Sequence, residues 1–540
     1  MGILASRLVG LLRERVIAYY FGVGAHADVW TVASRGPNLL QNLLGEGTIS
    51  AAFIPIYSRM LDNGRPEAAG RFAGAIFGLL TLVVALFVLL GVVFAEPLAA
   101  VLAAGFLDDP PATGDAVDRF ALLVRTLRIL FPMTGLLVLA AWALGVLNSH
   151  RQFFVPYVAP VVWNVAIIAA LGAGASLVTG SPWTPGALSA DALTRLLIAA
   201  CIGAVIGGAL QFGVQLPFVW KHLRGFRWSV STRVEGVREA LAAFGPVVAG
   251  RGVAQLSSYL DTFLATFLKV GALSALRFSL LFYLLPISLF GMSVSASELP
   301  ELSRLTSEKA TAFLARLRRS LRQIAFLTVP TVVGYLGFGV LLVGALLRTG
   351  QFQAGSTWLV ALVLGGYSLG ILATTFSRLL QNAFYAIGDT TTPARLAVVR
   401  VTASLVVAAP AMFALDAVPL ARVAPVPDSG APLYLGAVGL SLGASVGAWL
   451  ELGLLRRALR QSLPEMTLPW TGVARMTGLA VASLVPAYAV WMLLPAWPPL
   501  AVAPLVGGTF ATAYLGSAYA LGLPDLDPWL ARFRPSGDRQ

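Results

Sequence analysis

The stretch Ile3-Leu4-Ala5-Ser6-Arg7-Leu8-Val9-Gly10-Leu11-Leu12-Arg13-Glu14-Arg15-Val16-Ile17-Ala18 sets four charges inside a run otherwise apolar enough to span a bilayer. The pattern recurs along the chain. Asp28, Arg35 and Glu46 fall in or beside the next apolar run, and Arg251, Asp261, Arg277, Arg378 and Arg400 fall in later ones. A charge at mid-membrane costs about 2.5–3.5 kcal/mol on insertion scales, so it faces the bundle interior or a water-filled cavity. Most of these charges are cationic. A cationic cavity inside a membrane bundle implies an anion that enters it.

Composition agrees. The 540 residues are 57% hydrophobic and only 12% charged, with mean hydropathy +0.80. Soluble domains carry about 25% charged residues, so the chain reads as a polytopic membrane protein. Cys201 is the single cysteine, which excludes an internal disulfide framework. His26, His150 and His222 are scattered, with no metal-binding spacing. The net charge of +13 reads as cytoplasmic loop anchors rather than a nucleic-acid surface. No cleavable signal peptide is expected, because charges interrupt the first apolar stretch.

A crossing helix needs about 20 mostly apolar residues. The hydropathy pattern predicts an all-α protein with about fourteen spans: 2–22, 29–57, 72–95, 118–147, 154–177, 192–220, 238–268, 273–300, 322–347, 357–386, 394–415, 433–455, 472–494 and 499–521. Loops alternate in charge. Lys221, Arg224 and Arg227 follow the sixth span, and Arg304, Lys309 and Arg316 the eighth. The opposite loops are acidic (Asp108, Asp109, Asp115) or lack Lys and Arg. The positive-inside rule then predicts both termini in the cytoplasm.

The chain also repeats. Gly22-Val23-Gly24-Ala25 with Pro37 and Pro55-Ile56-Tyr57-Ser58-Arg59 finds an echo in Lys269-Val270-Gly271-Ala272 with Pro286 and Pro300-Glu301-Leu302-Ser303-Arg304. Two six-helix lobes follow, residues 1–221 and 222–465, a plan in which transporters bind substrate at the repeat interface. Residues 466–540 fall outside the repeat and add two helices and a tail.

Each motif has a plain reading beside the functional one. Arg7 and Arg13 line a wide polar cleft, or else snorkel from a cytoplasmic N-terminus. Arg35-Gly36-Pro37 through Gly45-Glu46-Gly47 breaks a spanning helix where it lines a cavity, or merely kinks it. Asp261, beside Ser257, Ser258 and Thr262, is a candidate ion or proton site, or a carboxylate satisfied by a neighbouring arginine. Gly436, Gly439, Gly443 and Gly447 make a small-residue packing face. No P-loop, nucleophile elbow or nucleic-acid module is found, which argues against an ATP-driven pump.

The order of motifs resembles the MurJ (MviN) family of lipid II flippases, within the superfamily that includes drug and oligosaccharide exporters. The matching pieces are Ser6-Arg7…Gly10…Arg13-Glu14, Phe21-Gly22…Gly24…Asp28, Pro37-Asn38-Leu39-Leu40…Glu46-Gly47 and Phe53-Ile54-Pro55. Gly105-Phe106, Phe131-Pro132, Leu147-Asn148, Gly245-Pro246, Phe290-Gly291, Gly350-Gln351-Phe352 and Phe384-Tyr385…Asp389-Thr390 follow in order. The resemblance implies fourteen helices, a cationic central cavity and a lipid-tail groove from the last two helices. It implies a charged cavity of Arg7, Arg13, Glu14, Asp28, Arg35, Glu46 and Arg378. Its substrate would be a polyprenyl-pyrophosphate-linked precursor (lipid II) moved by alternating access, with membrane lipids and cell-wall synthesis proteins as partners and no nucleic acid. The location implied is the bacterial inner membrane.

The chain departs from the family pattern where charges are expected. Gln41-Asn42 and Ser279-Leu280-Leu281-Phe282 replace positions the family fills with arginine and aspartate. Arg277, one turn before Leu281, and Arg251 are expected to restore a displaced anion clamp. The asparagine-rich eleventh helix of sodium-linked relatives reads Arg400-Val401-Thr402-Ala403-Ser404 here. No cofactor is expected, and a coupling ion or the membrane potential would drive the cycle. The expected protein is thus a transporter and not an enzyme. The alternatives are a same-fold exporter of another lipid-linked glycan or an amphiphilic drug, and a non-transporting membrane scaffold.

Overall fold

The computed structural model describes residues 2–109, 117–183, 188–292, 298, 301–302, 304, 310–426, 432–495 and 497–523. Among these residues the secondary structure is helical, apart from one isolated bridge between Pro419 and Tyr434. Eleven described helices are long and apolar enough to cross a membrane. Three more, α1 (Gly2–Phe21), α2 (Ala25–Leu44) and α10 (Val237–Ala265), have comparable length but carry the intramembrane charges. Together they account for the fourteen expected spans. This is an all-α polytopic membrane protein.

By internal contacts the chain forms two units. The first comprises Met1–Ser274 with Thr349–Phe352, and the second Ala275–Arg348 with Gln353–Gln540. The sequence places the lobe boundary after Lys221, whereas the contacts place it after Ser274. The reason lies in α10, which packs on α2 and on α3 (Glu46–Ala52).

The first unit continues with α4 (Ile54–Asp62), α5 (Pro66–Val93), α6 (Ala95–Leu102), α7 (Arg119–Ser149), α8 (Phe154–Thr179) and α9 (Ala190–Trp220). Polar caps start two of the long helices. Asp118 accepts the Ala121 N–H at 2.8 Å to open α7, and Ser189 accepts the Ala192 N–H at 3.3 Å to open α9. Phe53, Tyr57, Phe72 and Trp142 form part of an aromatic core between α4, α5 and α7. The break expected between Arg35 and Gly47 falls at the glycine end of that segment. The helix runs through Pro37 and stops at Gly45, whose ψ of −144° ends α2 before α3 begins. Proline bends an α-helix, while glycine adopts the non-helical ψ without a side-chain penalty.

Two quoted motifs meet in this unit. Gln351 N–H donates to the Tyr19 carbonyl at 2.8 Å. Gly22 has φ 55°, and a Cβ there would lie 2.6 Å from the Gln351 carbonyl oxygen. Only glycine tolerates both the left-handed backbone and that approach.

The second unit holds α11 (Ala272–Pro286, whose first turn lies in the first unit), α12 (Ala310–Leu347), α13 (Ala354–Ser368), α14 (Ile371–Ala386) and α15 (Thr391–Asp416). It closes with α16 (Gly436–Ser462), α17 (Trp470–Leu493) and α18 (Pro499–Ala520). The glycine face of α16 does pack. A Cβ on Gly439 or Gly443 would lie 2.5 Å from Met412 or Ala408 of α15. The two added helices, α17 and α18, pack on α12.

Candidate functional site

α1 carries the best-defined cation. The Arg13 side chain is 16% exposed, its Nη2 donates to Glu14 Oε1 at 2.6 Å, and its guanidinium lies 4.9 Å from the Trp163 ring centroid. Trp163 is itself held, because its Nε1–H donates to the Ala204 carbonyl at 3.1 Å. Gly207 permits that contact by letting α9 approach α8. The Arg13 Nε–H is buried and has no hydrogen-bond partner among the described residues. A guanidinium stacked on an aromatic face and anchored at one edge is oriented to donate from the other. Arg7 is exposed on the same helix.

Asp28 has a different place from the one expected. It is 0% exposed and does not line open space. Its Oδ1 accepts the Ser274 N–H at 2.8 Å and the Ser274 hydroxyl at 2.7 Å, and its Oδ2 accepts the Gly271 N–H at 2.7 Å. The Arg119 guanidinium stands 3.6 Å away and binds Asp109 through two nitrogens. The Phe106 ring covers that guanidinium at 4.3 Å. The result is a buried Asp28–Arg119–Asp109 network at the first turn of α11.

The other predicted residues scatter. Arg35 is half-buried, and its carbonyl accepts the Tyr259 hydroxyl. Asp261, two residues further along α10, is half-buried and engaged in an interaction. The side chains of Glu46 and Arg251 lie outside the described residues. In the second unit Arg277 is half-buried and engaged, and Arg378 is exposed on α14.

Sequence reasoning missed Arg119, Asp109, Trp163 and Glu451. Asp109 read as an acidic loop charge, and Arg119 fell at the start of the 118–147 span without being singled out. Glu451 had a usable signal, as a carboxylate within apolar α16.

The second unit also contains an apolar cavity of about 310 Å³ between α12 and α18. Phe326, Pro330, Phe338, Phe510 and Tyr514 are among the residues that line it. Phe338 departs from helical geometry (φ −130°, ψ 29°) and kinks α12 there. The resemblance implies a groove from the last two helices, whereas this lining comes from α12 and α18 and includes no residue of α17.

Fold and charges together define a polytopic helical membrane protein that sequesters guanidinium groups within a many-helix bundle. The chain belongs to the MurJ family: a family model described as "Lipid II flippase MurJ" matches residues 17–507. The "Lipid II flippase MurJ" of Burkholderia cenocepacia is 31% identical over 471 residues, covering 85% of this chain and 83% of the relative. The "Probable lipid II flippase MurJ" of Haemophilus influenzae is 28% identical over 466 residues, covering 85% and 84%. Among solved structures, "Lipid II flippase MurJ, inward closed conformation" matches with TM-score 0.67 and 22% identity, over 96% of this chain and 98% of that one. An inward-facing multidrug resistance MATE family transporter matches with TM-score 0.57 and 15% identity, over 85% and 95%. These two likenesses show the fold.

Proposed function

We propose that this chain is a flippase that moves lipid II, the polyprenyl-pyrophosphate-linked peptidoglycan precursor, from the inner to the outer leaflet of a bacterial inner membrane. Membership of the MurJ family across residues 17–507 carries this reading. The oriented Arg13 on α1 supplies its chemistry.

A pyrophosphate head cannot cross hydrocarbon unaided, since burying an unpaired charge costs tens of kcal/mol by a rough Born estimate. Guanidinium groups replace hydration with charge-assisted, often bidentate hydrogen bonds. Arg7 and Arg13 serve that role on α1. Arg251 and Arg277 supply cations that Gln41 and Leu281 do not. The polyprenyl tail stays in apolar surroundings, and the apolar cavity between α12 and α18 offers a seat for a few of its isoprene units. An inside-negative potential favours outward movement of an anion by about 2.3 kcal/mol per charge per 100 mV. That drives the cycle without ATP when the empty carrier returns uncharged. Both termini lie in the cytoplasm on the positive-inside pattern. No bond is made or broken, so the activity is transport and not catalysis.

The replaced charges at Gln41, Leu280 and Leu281 favour one second reading, an exporter of a different lipid-linked glycan or an amphiphile. Complementation of a strain depleted of its own lipid II flippase separates the two. Growth supports lipid II as cargo, and failure at normal membrane expression supports the second reading.

A further inference from the structure

α14, α15 and α16 hold a charged cluster in which the family resemblance implies a role for Arg378 alone and none for Arg400, Gln381 or Glu451. Glu451 is 1% exposed within α16. It accepts the Gln381 Nε2–H of α14 at 3.0 Å and the Arg400 Nη1–H of α15 at 3.2 Å. Gly447 makes this reach short, because a Cβ there would lie 2.9 Å from the Arg400 carbonyl oxygen. Arg378 stands three residues before Gln381, on the same face of α14, within electrostatic reach of the same carboxylate.

Two guanidinium groups to one carboxylate leave a net positive charge. Arg400 keeps 35% of its side chain exposed, and Arg378 is exposed. Arg400 is nine residues into α15, about 14 Å from its start at 1.5 Å per residue. A guanidinium at that depth facing lipid tails carries the insertion penalty, so its exposed edge faces a water-accessible space. Arg400 commits Nη1 to Glu451, and its Nη2 and Nε edge remains a two-donor fork suited to an oxyanion.

We propose that Arg378 and Arg400 form an oxyanion subsite in the second unit that takes a phosphate of the transported pyrophosphate head, with Glu451 and Gln381 as positioning residues. This rests on the reading of the chain as a carrier of a pyrophosphate-linked lipid. The same chemistry would also hold the headgroup of a bulk anionic phospholipid.

The test uses the full chain in phosphatidylcholine nanodiscs. It titrates undecaprenyl pyrophosphate, undecaprenol as a tail-only probe, and phosphatidylglycerol. Arg378→Ala and Arg400→Ala each weaken undecaprenyl pyrophosphate about tenfold, the size of one lost charge-assisted hydrogen bond, and leave undecaprenol unchanged. Arg400→Lys keeps the pairing with Glu451 but lacks the fork, and it weakens pyrophosphate binding severalfold. Should Arg400→Ala fail to fold, Arg400→Lys and Arg378→Ala decide between the outcomes. Glu451→Gln lowers the preference for pyrophosphate over undecaprenol, and Glu451→Asp restores most of it at an unchanged melting midpoint, which a merely structural role would not produce.

Unchanged pyrophosphate affinity in Arg400→Lys and Arg378→Ala, alongside a loss in Arg13→Ala, overturns the subsite and leaves the transport reading standing. Loss confined to phosphatidylglycerol also overturns it, in favour of a bulk-lipid contact. A wild-type protein that does not prefer undecaprenyl pyrophosphate to undecaprenol overturns both readings.

Discussion

The Asp28 carboxylate takes both donors that Ser274 offers, the N–H at 2.8 Å and the hydroxyl at 2.7 Å, with no exposure to solvent. It sits at the positive end of α11, where a carboxylate is favoured by the helix dipole. Asp28→Asn keeps the volume but loses the charge and one acceptor. It should cost about 2–4 kcal/mol, the range for breaking a buried charged contact. Ser274→Ala should cost about 1 kcal/mol. Unfolding midpoints in detergent measure both, and an Asp28→Asn midpoint equal to the wild type's would refute a stabilising role.

Arg119 is 4% exposed between Asp28 and Asp109. Removing it leaves two carboxylates without their cation. Arg119→Met should destabilise by about 3–5 kcal/mol, more than Asp109→Asn, which leaves Asp28 to neutralise Arg119. Comparison of the two variants by thermal unfolding checks the order.

Trp163 should matter through Arg13 and not for its bulk alone. Trp163→Leu removes a cation–π contact worth about 0.5–2 kcal/mol and frees the guanidinium. Lipid II transport in proteoliposomes should fall severalfold, with Trp163→Phe intermediate. Equal activity in all three proteins would show that Arg13 needs no aromatic platform.

Gly507 lines the apolar cavity, and a Cβ added there meets nothing within 4 Å. Gly507→Phe therefore starts from open space and directs a ring at the cavity. It should leave the melting midpoint within about 1 kcal/mol and abolish competition by undecaprenol. A fully active Gly507→Phe transporter would exclude the cavity as the tail site.

His150 closes α7. Its ring stacks on His222 at 4.3 Å, and the Tyr57 hydroxyl meets its Nε2 at 3.1 Å. Burial first, then the neighbouring His222, pushes its pKa from the usual 6.5 down to about 4. The folded state refuses a proton that the unfolded chain accepts. Stability should therefore be flat above pH 6.5 and fall as pH drops from 6.5 towards 4. Melting midpoints across that range, with His150→Asn losing part of the slope, test it.

A carboxylate adds a loss of the same sign at lower pH. Asp389, between α14 and α15, accepts the Thr391 and Thr392 N–H groups at 3.0 Å each. The hydrogen bonds from Thr392 contribute most to holding its pKa down at about 2. Its contribution is present above the ordinary carboxylate value and is lost only as pH falls through about 2, so Asp389→Asn should flatten acid sensitivity below the His150 window.

Much of this molecule was legible in one dimension. The span 154–177 is matched by α8 (Phe154–Thr179) and 499–521 by α18 (Pro499–Ala520), because uninterrupted apolar length suffices to identify a crossing helix. The second span was harder. Pro37 is the stronger helix breaker by propensity, yet the helix ends at Gly45, because membrane helices tolerate an internal proline and glycine adopts the non-helical backbone without a side-chain penalty. Arg13 was legible as an intramembrane cation, but Trp163 beside it was indistinguishable from any apolar packing residue.

Hydropathy and charge placement by themselves determined a helical membrane protein that buries cations, because burying charge in hydrocarbon is too costly to occur by accident. Only the tertiary structure decided what each charge does. Asp28, on the same footing as Arg13 in the sequence, is spent on Ser274, Gly271 and Arg119, whereas Arg13 keeps an unpartnered edge. A carboxylate's role depends on whichever donors the fold brings within 3 Å. Here those donors lie more than 240 residues away along the chain, beyond the reach of any local pattern.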